Sequence, residues 1–193
     1  YNFHSYYIDL DTCVTRDGSG ICTACPIGSY LNNGLPNNLC LLVSEFPPKH
    51  GIQTVSTPIQ PCADPNCIDC RLAYQTCVAC DTLNGYFLRQ AICLTVGDVP
   101  QREGIRSVSG SVVDCQDLHC LNCAADYALC TACDVSAAYF LRSNICIHKD
   151  SVPDFEGAFA ATGLVVPCQQ PFCRRCDDGV CSRCDTSQSY YLK

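Results

Sequence analysis

From Cys62 to Cys93 the chain reads CADPNCIDCRLAYQTCVACDTLNGYFLRQAIC, six cysteines in thirty-two residues. The stretch returns as CQDLHCLNCAADYALCTACDVSAAYFLRSNIC from Cys115 to Cys146, and in shortened form as CQQPFCRRCDDGVCSRCDTSQSYYLK from Cys168 to Lys193. Cys62, Cys67 and Cys70 recur at Cys115, Cys120 and Cys123 and again at Cys168, Cys173 and Cys176, a step of 53 residues both times. A fixed period of this length marks a repeat array before any local element is assigned. The full unit is C-x4-C-x2-C-x6-C-x2-C-x12-C, and the third copy shortens the x6 gap to Asp177-Asp178-Gly179-Val180.

Working outward, Cys13 to Cys40 is a shorter unit with four cysteines, its Cys22-Thr-Ala-Cys25 answering Cys77-Val-Ala-Cys80 and Cys130-Thr-Ala-Cys133. Ser5-Tyr6-Tyr7-Ile8 precedes Cys13 at the spacing that Tyr86-Phe87-Leu88 keeps to Cys93, so residues 1–12 read as the tail of a preceding copy or a leader. The linkers Cys40–Cys62, Cys93–Cys115 and Cys146–Cys168 each enclose 21 residues, and each places a proline (Pro47, Pro100, Pro153) four residues before a glycine (Gly51, Gly104, Gly157). A flexible spacer drifts in length and is rich in Gly and Ser; these are regular. Ile52/Val55, Ile105/Val108/Val112 and Leu164/Val166 read as short extended segments. Pro-x3-Gly reads as a loop in which Pro holds the preceding residue extended and Gly supplies a positive-φ turn. The organisation is thus 1–12, tail or leader; 13–61, short repeat plus linker; 62–114 and 115–167, full repeats with linkers; 168–193, truncated repeat.

With 21 cysteines in 193 residues, cysteine takes the place of an ordinary core, and a disulfide scaffold is the default reading. Bridges at this density persist in an oxidising compartment, which points to an extracellular or cell-surface chain. A formal net charge of −7, with no basic run longer than Arg174-Arg175, has the wrong sign for nucleic acid. No apolar run approaches a membrane span and no start resembles a signal peptide. A chain opening on Tyr1 is expected to be a mature form or a window of something longer.

No window sustains a 3.6-residue apolar period, so short strands and turns are expected with little or no helix. Gly85-Tyr86-Phe87-Leu88, Tyr139-Phe140-Leu141 and Tyr190-Tyr191-Leu192 read as first arms of small hairpins that close on the sixth cysteine. Asp81, Asp134 and Asp185 each follow a fifth cysteine, where an Asx-turn to the residue's own backbone is expected rather than a calcium site. The fold class is small and disulfide-rich, an elongated tandem array of cysteine-rich repeats built from short β-hairpins and turns, each unit touching mainly its neighbours.

The odd cysteine is explained if the third unit stops at Lys193 before its sixth cysteine, so the chain is expected to continue and to supply Cys184 with a partner; otherwise Cys184 is free to bond another subunit. Six cysteines allow fifteen pairings. The C-x2-C spacings favour crossing bonds over tight internal rings without choosing one pattern. In the short unit Cys13–Cys22 and Cys25–Cys40 are the parsimonious pairs, the alternative being that Cys13 is the sixth cysteine of an upstream copy.

Cys-x2-Cys, a short gap, Cys-x2-Cys-Asp, then Tyr-Phe/Tyr-Leu and a closing Cys resembles the furin-like or growth-factor-receptor-type cysteine-rich repeat, in the version found in large surface and secreted proteins of ciliates and other protists. The resemblance covers nearly the whole chain. It implies an elongated rod of stacked modules bridged first-to-third, second-to-fourth and fifth-to-sixth: Cys62–Cys70, Cys67–Cys77, Cys80–Cys93; Cys115–Cys123, Cys120–Cys130, Cys133–Cys146; Cys168–Cys176 and Cys173–Cys181, with Cys184 unpaired in this window.

Cys-x2-Cys is also zinc-ligand spacing, but a zinc reading strands Cys62, Cys93 and their copies. A redox role would need a low-pKa cysteine at a helix N-terminus, and Cys22-x2-Cys25 is the sole hint of one. His4, His50, His119 and His148 occupy non-equivalent places and read as solvent-exposed bystanders. There is no nucleophile elbow, zinc-protease helix motif or phosphate-cradling loop; neither catalytic residue, metal nor cofactor is expected. Asn38 and Asn144 precede bridged cysteines at the acceptor position, while Thr54, Ser56, Thr57, Ser107, Ser109 and Ser111 in the linkers are candidates for O-linked sugar. The expected function is a non-enzymatic extracellular structural protein, a fibre, filament or surface coat that associates head-to-tail. The alternative is a ligand-binding receptor or adhesin ectodomain, marked by linkers that differ in Phe155 and Phe159 against Arg102 and Arg106.

Overall fold

Half-cystines every few residues break up any longer element, and the chain answers with two-to-five-residue strands folded back on themselves. A computed structural model describes residues 13–33, 38–54 and 57–188. These fall into two compact units that divide between Leu94 and Thr95. Among the described residues there is no helix longer than a single 3-10 turn, and none is long and apolar enough to cross a membrane.

In the first unit, Thr15–Arg16 pairs with Cys22–Ala24 and Tyr30–Asn32 with Leu39–Leu41. A linker hairpin of His50–Gly51 and Gln60–Pro61 follows. The first complete module then has an opening hairpin, Cys67–Asp69 against Ala79–Cys80, and a closing hairpin, Phe87–Arg89 against Ile92–Leu94. In the second unit the same three-hairpin cycle runs through the linker Glu103–Arg106 and Ser111–Asp114, the opening hairpin Cys120–Asn122 and Ala132–Cys133, and the closing hairpin Tyr139–Arg142 and Ile145–His148. It begins again with the linker Glu156–Phe159 and Leu164–Pro167 and the opening hairpin Cys173–Asp177 and Val180–Cys184. The third closing arm, Tyr190-Tyr191-Leu192, lies outside the described residues, as do residues 1–12 and Val55.

Single 3-10 turns punctuate the cycle at two recurring places. Val43–Glu45, Val96–Asp98 and Lys149–Ser151 follow closing hairpins; Thr82–Asn84, Val135–Ala137 and Thr186–Gln188 follow fifth cysteines. The closing hairpins turn on Gln90-Ala91 and Ser143-Asn144, all four at positive φ between 46° and 72°. Two positive-φ residues in a row make the turn that matches the twist of paired strands.

The core is sulfur. The side chains with least exposure are Cys22, Cys67, Cys70, Cys120, Cys123 and Cys130, and the buried carbon added to them comes from a few residues such as Phe46, Ile59, Ile105 and Phe140. Around Cys115, Cys120, Cys123, Cys130, Cys133 and Cys146, Tyr127, Tyr139 and Leu141 pack as a partly buried shell. Tyr74, Tyr86 and Leu88 do the same one module earlier. Each bridge closes a short loop and contributes about 2–4 kcal/mol, mainly by restricting the unfolded chain.

Candidate functional site: the joint between repeats

Ten bridges are present: Cys13–Cys22 and Cys25–Cys40 in the short module; Cys62–Cys70, Cys67–Cys77 and Cys80–Cys93; Cys115–Cys123, Cys120–Cys130 and Cys133–Cys146; Cys168–Cys176 and Cys173–Cys181. Cys184 is a half-buried free thiol. Three triads of sulfur atoms come within 4.8 Å, Cys22/Cys25/Cys40, Cys67/Cys77/Cys93 and Cys120/Cys130/Cys146, and every member is one half of a disulfide.

The array depends on how a linker hands the chain to the next module. In the second unit one six-stranded sheet does this, in the order Ile145–His148, Tyr139–Arg142, Leu164–Pro167, Glu156–Phe159, Cys173–Asp177, Val180–Cys184. The three hairpins are antiparallel inside, and they join one another by parallel pairing, Leu141 with Leu164 and then Glu156, Gly157 and Ala158 with Arg175, Cys176 and Asp177. Leu141 N donates to Gly163 O at 2.8 Å, and Phe155 N to Arg174 O at 2.7 Å. The same handover recurs where the other linkers meet their modules: Lys49 N to Ile68 O and Arg102 N to Leu121 O, with Cys62, Cys115 and Cys168 each donating back to Lys49, Arg102 and Phe155 at 2.8 Å.

Here the structure corrects the reading of Pro-x3-Gly. Gly51, Gly104 and Gly157 are strand residues, and the positive φ belongs to Lys49, Arg102 and Phe155, at 64°, 66° and 67°. Glycine is required for a different reason, the close approach of two backbones. A Cβ on Gly51, Gly104 or Gly157 would lie 2.0, 2.2 or 1.9 Å from the carbonyl oxygen of Cys70, Cys123 or Cys176, the third cysteine of the module it docks on. Val108 is also corrected: it sits at the hairpin tip, 96% exposed, rather than in a strand.

Charged side chains reinforce the joint. Arg142 reaches from the closing hairpin to Glu156 on the linker in a two-pronged pair, Nε–Oε2 2.6 Å and Nη2–Oε1 2.9 Å, and this hydrogen bonding holds the Glu156 carboxyl below its usual range. Asp154 takes Arg174 at 2.7 Å and Arg183 at 3.8 Å, with its pKa lowered chiefly by the Arg174 hydrogen bond. Arg175 donates to Lys149 O. Asp69 is gripped by the Arg71 fork, whose hydrogen bond lowers its pKa against the opposing effect of burial.

Two carboxylates that the sequence reading passed over close the complete modules. Asp64 Oδ2 accepts from Cys93 N and Asp117 Oδ2 from Cys146 N, both at 2.7 Å, while their Oδ1 atoms accept from Asn66 N and His119 N at 2.9 Å. The signal was available, since both stand two residues after a first cysteine and 29 before the sixth. Of the aspartates after fifth cysteines, Asp134 accepts from Ala137 N and Ser136 Oγ, which lowers its pKa, and Asp185 accepts from Ser187 N; Asp81 instead accepts from the Asn84 side chain.

The histidines are corrected as well. His50, His119 and His148 are half-buried rather than exposed, and His4 lies outside the described residues. His119 stacks flat on Tyr139, centroids 3.5 Å apart at 9°, and His148 meets the same ring edge-on at 5.3 Å. The module cores, bridges and hairpin cycle are all in place on this geometry. The chain is a cysteine-rich repeat protein. No family model matches it, and comparison with curated proteins finds no match. What the repeat protein offers at its joints is docking geometry.

Proposed function

We propose that the chain is a non-enzymatic extracellular structural protein, a rod of furin-like or growth-factor-receptor-type modules that builds a fibre, filament or surface coat by head-to-tail association. The observation that carries the reading is the six-stranded sheet of the second unit, in which closing, linker and opening hairpins join by parallel backbone pairing. A joint made of backbone bonds and a glycine contact repeats wherever the spacing repeats, and a contact that does not close on itself propagates along an axis. The ten bridges support an oxidising, extracellular setting.

A second reading, a receptor or adhesin ectodomain, is favoured by one feature that does not repeat. A groove of about 480 Å³ is lined by Phe140, Lys149, Asp150, Ala158, Arg175 and Asp177, while the corresponding place at the first linker, about 330 Å³, is lined by Phe46, Pro47, Ile68, Asp69 and Arg71. Electron microscopy of native, non-reduced material separates the two. Regular filaments formed without added ligand support the structural reading. Discrete particles that stay unassociated across concentration overturn it in favour of the ligand-binding one.

A further inference from the structure

In both complete modules two bridges touch sulfur to sulfur. Cys130 Sγ lies 3.3 Å from Cys146 Sγ and 3.9 Å from Cys133 Sγ; one module earlier, Cys77 Sγ lies 3.5 Å from Cys93 Sγ and 3.9 Å from Cys80 Sγ. These sulfurs carry no hydrogen, because they belong to Cys120–Cys130 and Cys133–Cys146, and to Cys67–Cys77 and Cys80–Cys93. The contacts are therefore the packing of one disulfide on another.

The other two members of each foursome also face each other. Cys120 stands opposite Cys133 across the opening hairpin, and Cys67 opposite Cys80. Asp134 N donates to His119 O and Asp81 N to Asn66 O, both at 3.0 Å, so the cysteines one residue inward form a non-hydrogen-bonded pair. At such a pair the Cα atoms stand about 4.5 Å apart, within the span a disulfide bridges. Four sulfurs are thus placed for two pairings on one backbone: the observed one, and Cys120–Cys133 with Cys130–Cys146.

We propose that each complete module carries a four-sulfur exchange site at which a small thiol interconverts these pairings. The thiolate attacks Cys146 Sγ, forming a mixed disulfide and displacing Cys133 as thiolate. Cys133 attacks Cys120 Sγ across the hairpin, closing Cys120–Cys133 and displacing Cys130. Cys130, already against Cys146, attacks the mixed disulfide, closes Cys130–Cys146 and expels the small thiol. Three S–S bonds break and three form, the thiol is returned, and nothing is oxidised or reduced overall. Entry is at the sixth cysteine, where Cys93 is half-buried and Cys146 is 8% exposed, while Cys67, Cys77, Cys120 and Cys130 are buried more deeply. Cys62–Cys70 and Cys115–Cys123 stand outside the foursomes and serve as internal references.

The test uses the Cys184→Ser chain, so that added glutathione is the only free thiol, and in parallel the unaltered chain with Cys184 alkylated. After incubation at mildly alkaline pH, the mixture is quenched with acid and N-ethylmaleimide, digested without reduction using chymotrypsin and elastase, and mapped by electron-transfer mass spectrometry. The expected result is loss of native Cys120–Cys130 and Cys133–Cys146 links matched by gain of Cys120–Cys133 and Cys130–Cys146, with the parallel change in the first complete module, the reference bridges intact, and no rise in alkylated cysteine. Native links persisting beside glutathione adducts, or new links that draw in Cys115 and Cys123 as often as the other four, would overturn the proposal.

Discussion

Replacing Gly104 with alanine tests the joint at its tightest point. The new Cβ would sit 2.2 Å from Cys123 O, 2.6 Å from Cys123 Sγ and 2.8 Å from Tyr127 Cα. None of these can swing aside, since two are backbone atoms and the third is tied into Cys115–Cys123. Reaching an ordinary contact of 3.4 Å requires the linker strand to retreat about 1.2 Å. That retreat strains three of the hydrogen bonds that tie the linker to the module, Arg102 N to Leu121 O, Ile105 N to Ala124 O and Tyr127 N to Ile105 O. At about 1 kcal/mol each, losing them costs roughly 3 kcal/mol, within the range that overpacking of a fitted site reaches. The module itself stays folded, because three bridges hold it independently of the linker. The effect is therefore local. Amide exchange read by NMR or mass spectrometry at Ile105 and Tyr127 should accelerate on the order of 100-fold, the factor such an energy implies, while exchange at Cys146 stays unchanged. Gly97→Ala is the control, for its nearest neighbour would be Thr95 Oγ1 at 3.8 Å. Unchanged protection at Ile105 and Tyr127 in Gly104→Ala would refute the close-approach explanation.

Three further outcomes are expected. Arg142→Gln should return the Glu156 carboxyl toward its ordinary range in an NMR titration; because the folded-state pKa is the depressed one, the stability from this pair is present above the ordinary value of about 4.3 and lost as pH falls below it. Asp117→Ala leaves Cys146 N and His119 N without their acceptor; denaturant unfolding should lose about 1–3 kcal/mol, and Cys133–Cys146 should become the first bridge of its module to be reduced. Ala91→Gly relieves a side chain held at φ 72° and should raise stability by about 1 kcal/mol, measured as a shift of the denaturant midpoint at unchanged slope.

How much of this was legible depends on whether the cause is local. The spacing of Cys62, Cys67 and Cys70 and its two echoes announces the modules without reference to anything distant, and linkers of equal length announce that something fits against them. The Asp178-Gly179 turn, φ 48° and 82°, is also written locally, since Asp-Gly between extended runs is the strongest short-range hairpin signal. Gln90-Ala91 adopts the same kind of turn with neither residue suited to it, because the paired strands Phe87–Arg89 and Ile92–Leu94 and the Cys80–Cys93 bridge impose it. The glycine of Pro-x3-Gly is the clearest case of a hidden cause. Its missing side chain answers to a carbonyl some nineteen residues downstream, and no pattern inside the linker shows that. The stack of His119 on Tyr139 is hidden likewise, joining a gap residue to a closing strand that only the bridges bring together.

The third module shows why the joint, rather than the module interior, is the fixed element of the array. Shortening the gap between its third and fourth cysteines removes the tyrosine that Tyr74 and Tyr127 supply elsewhere. Two losses should follow, the backbone bond to the linker and the aromatic of the gap; the bond is made good, and a different ring stands beside the shortened gap. Asp178 N donates to Ala158 O at 3.1 Å, the position at which Tyr127 N meets Ile105 O one repeat earlier. Its carboxylate adds a bond from Ala160 N at 2.7 Å. The ring comes from the other side: Arg106 of the second linker lies over Tyr127 at 5.6 Å, whereas its counterpart in the third linker is Phe159, whose ring comes within 3.5 Å of where a Cβ on Gly179 would stand. The module lost two residues and the linker gained an aromatic, yet Phe155 N still donates to Arg174 O as Arg102 N does to Leu121 O, and Gly157 still stands against the carbonyl of its module's third cysteine. A scaffold whose joints keep one geometry while gap and linker residues change can lengthen without relearning how to stack, and it leaves those changing residues as the places where copies differ toward their surroundings.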